Sequence, residues 1–198
     1  RVLLMRTSDW WKMQALADEA GVSLGQVSNV KKQLLDREWI VEGDEGFRLT
    51  DPETLLQAWS DSYTYRKNTV RDFYAMKDAG EIEASLSEAC RELGIPHAFT
   101  GFSGARRVAP SVRGQRAMAY ISAISKELLA RVGLKEVPSG ANASLMLPYD
   151  EGVYYEAKEV DGVRVVCPVQ LYLDLKGHKG RGEEAAEAVR KQVLRKLW

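Results

Sequence analysis

Met13–Gln33, MQALADEAGVSLGQVSNVKKQ, carries two helical patterns divided by one glycine. In the first, Leu16, Ala17 and Ala20 fall on one face at i, i+1 and i+4. Gly21 stands where a helix ends in a residue tolerant of positive φ. Ser23 then caps a second helix, and Gln26, three residues on, completes the pattern of a capping box. Leu24, Val27, Val30, Leu34 and Leu35 are the expected buried stripe of that helix. Ala17 is small enough to let the helices cross closely, and Val22 and Val27 fill the angle between them. The spacing predicts a helix-turn-helix.

What the second helix leaves outward is Ser23, Gly25, Gln26, Ser28, Asn29 and Lys32: short polar side chains, an amide suited to adenine, and a cation. A hairpin is expected next, with Trp39–Glu42 and Phe47–Thr50 as strands and Gly43-Asp44-Glu45-Gly46 as the turn. Asp51 then caps a further helix with Pro52 at its first position. Leu55, Leu56, Trp59 and Tyr63 are expected to hold that helix against the hairpin. Residues 1–65 therefore read as a winged helix-turn-helix that binds double-stranded DNA. Ser23, Gln26, Ser28 and Asn29 are the candidate base-reading residues, and Lys31, Lys32 and Arg48 the candidate phosphate contacts.

The charge distribution runs against a simple version of this reading. The whole chain has a formal net charge of zero, but residues 1–60 hold seven Lys/Arg against ten Asp/Glu, a net of −3. Glu42, Asp44 and Glu45 at the hairpin tip would be repelled by phosphate. Residues 101–135 hold seven basic residues against one acid, a net of +6. Arg106, Arg107, Arg113 and Arg116 form the candidate auxiliary basic surface. A solvated face and a contact for an acidic protein are the alternatives for that run. DNA binding by so acidic a module is expected to draw on these arginines, on a second subunit, or on chain ahead of Arg1.

Residues 66–198 change period and alternate strands with helices. Strands are expected at 69–76, 97–102, 117–122, 143–147, 153–159 and 163–166, the last two joined by an Asp161-Gly162 turn. Helices are expected at 81–93, 124–132, 168–175 and 183–197. The fold class is α+β: a winged helix followed by a mixed α/β domain.

One stretch of the second domain suggests chemistry. A strand leading into Gly101-Phe102-Ser103-Gly104 is how a nucleotidyltransferase core begins its nucleotide-phosphate site. Two-metal transfer also needs two or three carboxylates on the next strand. That strand, Ala117–Ser122, has none, and Asp150 is a lone carboxylate further on. The expectation is a degenerate relative of that core, with no catalytic residue and no cofactor. His178-Lys179-Gly180-Arg181-Gly182 has the look of a phosphate loop but lacks the Walker spacing, and Glu183 and Glu184 oppose an anion there. It reads as a loop between helices, with His178 on the surface. Two cysteines, Cys90 and Cys167, and two histidines without ligand spacing give no metal site. The cysteines read as buried reduced thiols. No apolar run approaches the roughly 20 residues of a membrane helix, and no signal peptide is read. The expected location is the cytoplasm.

Several stretches together resemble the AbiE-type abortive-infection antitoxins (the AbiEi family): Thr100–Ala105 (TGFSGA), Leu147–Asp150 (LPYD), Val166–Leu175 (VCPVQLYLDL) and Gly180–Ala186 (GRGEEAA). The resemblance spans nearly the whole chain. It implies a transcriptional regulator and antitoxin of a type IV toxin–antitoxin system in a phage-defence operon. It further implies binding to an inverted-repeat operator, as a homo-oligomer on DNA, and repression of the chain's own operon. The second domain would counter a nucleotidyltransferase-like toxin without forming a stable complex with it. Cys167 stands where the family pattern leads one to expect serine. Two other readings remain open at this stage: a nucleotidyltransferase-like enzyme, and a protein-interaction module that dimerises through the winged helix.

Overall fold

A computed structural model describes residues 1–178 and 181–198. The chain divides into two compact units, Arg1–Tyr63 with Arg195–Trp198, and Thr64–Leu194.

The first unit opens with α1 (Val2–Met5), α2 (Met13–Ala20) and α3 (Leu24–Leu35). Helix α2 stops at Gly21, whose φ of +64° puts it in the left-handed region. Gly21 N–H donates to Asp18 O and Val22 N–H to Ala17 O, so the last turn's carbonyls are satisfied locally. Ser23 Oγ accepts from Gln26 N–H at 3.2 Å. That is one half of the expected capping box. The reciprocal box forms instead at Asp78 and Glu81 in the second unit.

Strands β1 (Ile40–Gly43) and β2 (Gly46–Leu49) pair antiparallel with Glu42 opposite Phe47. Trp11 bridges to β2 from its other side, exchanging both backbone bonds with Phe47 at 2.8 and 3.0 Å. Gly46 is required there: its φ is +129° and a Cβ would run into the Trp11 carbonyl. Helix α4 (Pro52–Ser62) is capped by Asp51, which accepts from Thr54 N–H. Leu4, Leu16, Ala17, Val27, Leu34, Ile40, Phe47 and Leu56 make the core of this unit. The last residues join it: Trp198 Nε1 donates to Leu4 O at 2.8 Å, and Arg195 bonds Glu53 at 2.9 Å.

The second unit comprises β3 (Thr69–Tyr74), α5 (Ala79–Glu92), β4 (His97–Phe99), α6 (Gly101–Val108), β5 (Ala117–Ile121), α7 (Lys126–Val132), β6 (Lys135–Glu136), β7 (Ala143–Leu147), β8 (Lys158–Val160), β9 (Val163–Val165), α8 (Pro168–Lys176) and α9 (Arg181–Gln192). Seven strands form one mixed sheet in the order β6-β3-β7-β5-β4-β9-β8. The pairs β5–β7 and β4–β9 are parallel and the rest antiparallel. Alternation along β5 sends Met118 and Tyr120 to one face, with Ser144 and Met146 of β7 beside them in register. On that face α6, α8 and α9 pack together over the β5–β4–β9 half. The chain is thus an α+β protein whose described residues include nine α-helices and a seven-stranded sheet.

Several sequence expectations need correction. Leu24 and Val30 are exposed, at 46% and 42%, so only Val27 and Leu34 of the expected α3 stripe are buried. A helix lying on a small core hides a narrower face than its apolar residues suggest. The strand expected at 97–102 ends at Phe99, because Thr100 turns the chain directly into α6. The strand expected at 153–159 begins only at Lys158, and Glu151–Tyr154 forms a 3₁₀ turn on an Asp150 cap. The helix expected at 183–197 breaks after Gln192, and a 3₁₀ turn follows at Leu194–Lys196.

Candidate nucleic-acid interface

On α3, Gly25, Ser28, Asn29 and Lys32 occupy i, i+3, i+4 and i+7 and are all exposed, forming one polar stripe with Gln26 at its flank. Ser23 lies at the N-terminal end of that stripe, its hydroxyl already holding Gln26 N–H. Of the two other basic candidates, Lys31 faces the hairpin and Arg48 belongs to it. Lys31 forms an ion pair with Glu42, and its ammonium sits 5.5 Å from the Phe47 ring centroid. Arg48 lies over the Trp10 ring at 5.0 Å. Lys31 therefore neutralises one of the three tip carboxylates, while Asp44 and Glu45 remain exposed.

The arginine run does not form a single solvated face. Arg106 and Arg107 both reach Glu83 Oε2, at 2.5 and 2.6 Å, and Glu83 is a fully buried carboxylate on α5. Arg107 also donates to Ser103 O and lies over the Phe99 ring. Arg116 pairs with Asp72 on β3 at 2.5 Å, at an angle that makes an ion pair rather than a hydrogen bond. Arg113 is left exposed, with its guanidinium on Pro110 O. The sequence hides this pairing because Glu83 and Asp72 precede their partners by more than twenty residues. A buried charge that loses its partner is costly. Arg107→Ala should therefore destabilise the fold by about 3 kcal/mol and the more exposed Arg106→Ala by about half that, read from urea denaturation midpoints. Equal costs would show that Glu83 does not depend on the more buried partner.

The Gly-Phe-Ser-Gly turn is a packing device. A Cβ on Gly101 would lie 2.7 Å from Met118 Sδ, and one on Gly104 would lie 2.6 Å from Leu171 Cδ2. Both glycines let α6 press on the sheet and α8. Ser103 is buried, accepting from Met118 N–H at 2.8 Å and donating to Arg116 O at 3.2 Å. Its hydroxyl is committed to the edge of β5 and is not presented to a phosphate. Among the described residues, no group of three or more His, Cys, Asp or Glu is placed to hold a metal ion.

The most specific sequence motifs meet inside the second unit. In α8 every residue from Val169 to Leu175 is buried, including Gln170 and Asp174. Asp174 accepts from Thr100 Oγ1 at 2.5 Å, from the Tyr120 hydroxyl at 2.9 Å and from Gln170 Nε2 at 3.0 Å. Asn68 extends the network to the Leu147–Asp150 segment, accepting from Tyr149 N–H and donating to the Tyr65 carbonyl. Thr100, Asp174 and Tyr149 thus tie together three stretches that are remote in sequence. Pattern reading missed this centre because Gln and Asp in a helix signal an exposed face unless partners are known.

Cys90 and Cys167 are both buried, and burial pushes the Cys90 thiol up to about 12. His178 is half-buried, and its ring stacks on Tyr65 at 4.7 Å and 15°. Burial, then the positive charges of Arg116 and Arg66, lower its pKa. His97 is lowered mainly by burial between Ile95 O and Ser87 Oγ. A histidine whose folded pKa lies below the ordinary value of about 6.5 takes up its proton more readily unfolded. Stability is therefore complete above that value and falls as pH drops through it. Urea midpoints should be level from about pH 7 to 8 and decline towards pH 5.5, before carboxylates titrate. The decline should flatten in His97→Gln/His178→Gln. A double variant that keeps the full slope would assign it to other groups.

An α+β protein with a polar helix stripe beside a hairpin, and with its arginines largely engaged internally, is the class that fold and surface define. Residues 48–195 match the family model described as "Transcriptional regulator, AbiEi antitoxin, Type IV TA system". The match covers most of the chain, and the chain belongs to that family. It starts within β2, so α1–α3 lie outside it. No curated protein and no solved structure matches the chain. Of the sequence motifs quoted for the resemblance, Gly180 lies outside the described residues, as does Lys179 of the loop at 178–182. No helix among the described residues is long and apolar enough to cross a membrane.

Proposed function

We propose that this AbiEi-family chain is a DNA-binding repressor of its own operon and the antitoxin-like member of a phage-defence toxin–antitoxin pair, acting in the cytoplasm. Residues 1–65 serve as a winged helix-turn-helix that binds an inverted-repeat operator as a homo-oligomer. Residues 66–198 form the antitoxin-like domain, a degenerate nucleotidyltransferase-like core that counters a nucleotidyltransferase-like toxin without a lasting complex. The observation that carries the reading is the stripe Gly25, Ser28, Asn29 and Lys32 on α3, exposed and without bulk, beside a hairpin to which α3 is pinned by Lys31–Glu42. Gln26 and Asn29 read base edges, Ser23 and Ser28 lie close to the groove, and Lys32 meets phosphate. Lys31 and Arg48 support this surface by bracing the hairpin, with phosphate contact as their second role. Arg113 is the auxiliary cation left open to nucleic acid, since Arg106, Arg107 and Arg116 have internal partners.

Gel shift of the full chain against the DNA upstream of its own gene tests this. Retarded complexes are expected at low salt and should weaken steeply as salt rises. No complex with any upstream fragment at low salt would overturn the proposal. The exposed Leu24, Val30 and Val41 favour a second reading, in which this face contacts another protein chain. Sizing the chain with and without operator separates the two.

A further inference from the structure

A cavity of about 660 Å³ lies on the sheet face of the second unit, on the half that α6, α8 and α9 leave uncovered. Its volume is that of a small-molecule site, which typically runs to roughly 300–1,000 Å³. Val70, 38% exposed, is the open apolar residue of its floor, with Met118 and Met146 buried beneath, and the Phe102 ring stands at one wall. Arg113, Arg116 and Arg181 line it as well. Among the described residues Asp72 is the one carboxylate in the lining, already paired with Arg116 and accepting from Ser144 Oγ. The guanidinium of Arg113 rests on Pro110 O and that of Arg181 on Arg113 O, and neither has an acidic partner among the described residues. At the wall, His178 Nε2 is buried without a hydrogen-bond partner among the described residues. Gly114 seats the arginine-bearing loop on Phe102, since a Cβ there would lie 2.5 Å from Phe102 Cβ.

We propose that this cavity binds a nucleoside triphosphate, its base against Val70 and Phe102 and its phosphates on Arg113 and Arg181. A cleft of this size, with Val70 and Phe102 beside the guanidinium groups of Arg113 and Arg181, matches a flat heterocycle joined to a polyanion, because guanidinium binds phosphate oxygens through paired donors. A long nucleic acid would instead want an open basic groove that follows a backbone. Ser103 takes no part, its hydroxyl being held by Met118 N–H and Arg116 O, and the proposal is of binding alone. The site shares Arg113 with the auxiliary nucleic-acid contact but includes no residue of α3, so sequence reading by α3 stands or falls separately.

The test is calorimetric titration of the full chain with ATP, GTP, CTP and UTP in EDTA, with tripolyphosphate alone as the reference anion. At least one nucleotide should bind one to one, about tenfold or more tighter than tripolyphosphate. Arg113→Ala/Arg181→Ala changes two exposed side chains and should weaken that nucleotide by about a hundredfold, roughly tenfold for each lost charged contact. Val70→Trp, at a half-open position on the floor, should block the nucleotide and spare tripolyphosphate. Absence of binding at millimolar nucleotide overturns the proposal. So do equal affinity for tripolyphosphate, indifference to the double variant, and binding of an RNA oligonucleotide but of no mononucleotide.

Discussion

Asp174→Ala is expected to remove about 3–5 kcal/mol from the stability of the Thr64–Leu194 unit. Asp174 is 1% exposed and accepts from the Thr100 hydroxyl, the Tyr120 hydroxyl and the Gln170 amide. Alanine leaves three buried donors facing a void too small to rehydrate them well, and each unmet group costs about 1–3 kcal/mol. Gln170 also touches the Tyr120 hydroxyl at 3.3 Å, so part of the loss is recovered by rearrangement and the total stays below a simple sum. A domain typically holds about 5–15 kcal/mol in all, so the variant should populate unfolded chain at growth temperature. Asp174→Asn keeps shape and one acceptor and should fall between. Urea unfolding followed by far-UV circular dichroism measures both. A loss below about 1 kcal/mol in the alanine variant would mean that the network orders the core without stabilising it. The consequence reaches function, because Thr100, Asn68 and α8 hold in place the motifs that mark the family.

Gln26→Ala/Asn29→Ala should weaken operator binding by about 2–4 kcal/mol, between about thirtyfold and a thousandfold, with little effect on random duplex DNA. Both side chains are exposed on α3, and alanine favours helix, so the fold is not at risk. Lys32→Ala should behave differently: all sequences weaken alike and the salt slope falls by about one. Gel shifts with operator and scrambled duplex across a salt series separate the two classes. An equal loss on scrambled DNA in the double variant would remove α3 from sequence reading and shift weight to the protein-contact alternative, which Leu24 and Val30 already favour.

The α2–Gly21–α3 arrangement was legible because its signals are local. Gly21 needs positive φ, Ser23 has an amide three residues away to hold, and Ala17 and Val27 bury at helical spacing. The β1–β2 hairpin and the Asp161-Gly162 turn were legible for the same reason, since their residues favour the turn whatever packs around them. The arginine run was not. Read in order, Arg106, Arg107, Arg113 and Arg116 look like one surface, yet Glu83 and Asp72 take three of them because α5 and β3 arrive beside them only in the folded chain.

Local side-chain geometry alone thus determined the turn, the caps, the hairpin and the alternating strands and helices, because those depend on neighbours within about four residues. Tertiary packing decided which polar groups are inside. Leu24 and Val30 went outward because the core beneath α3 is narrow, and Gln170 and Asp174 went inward because Thr100 and Tyr120 meet them there. A buried polar group is stable only with partners. Partners brought from the start of α6, from β5 and from α8 are a property of topology that no stretch of this chain carries by itself.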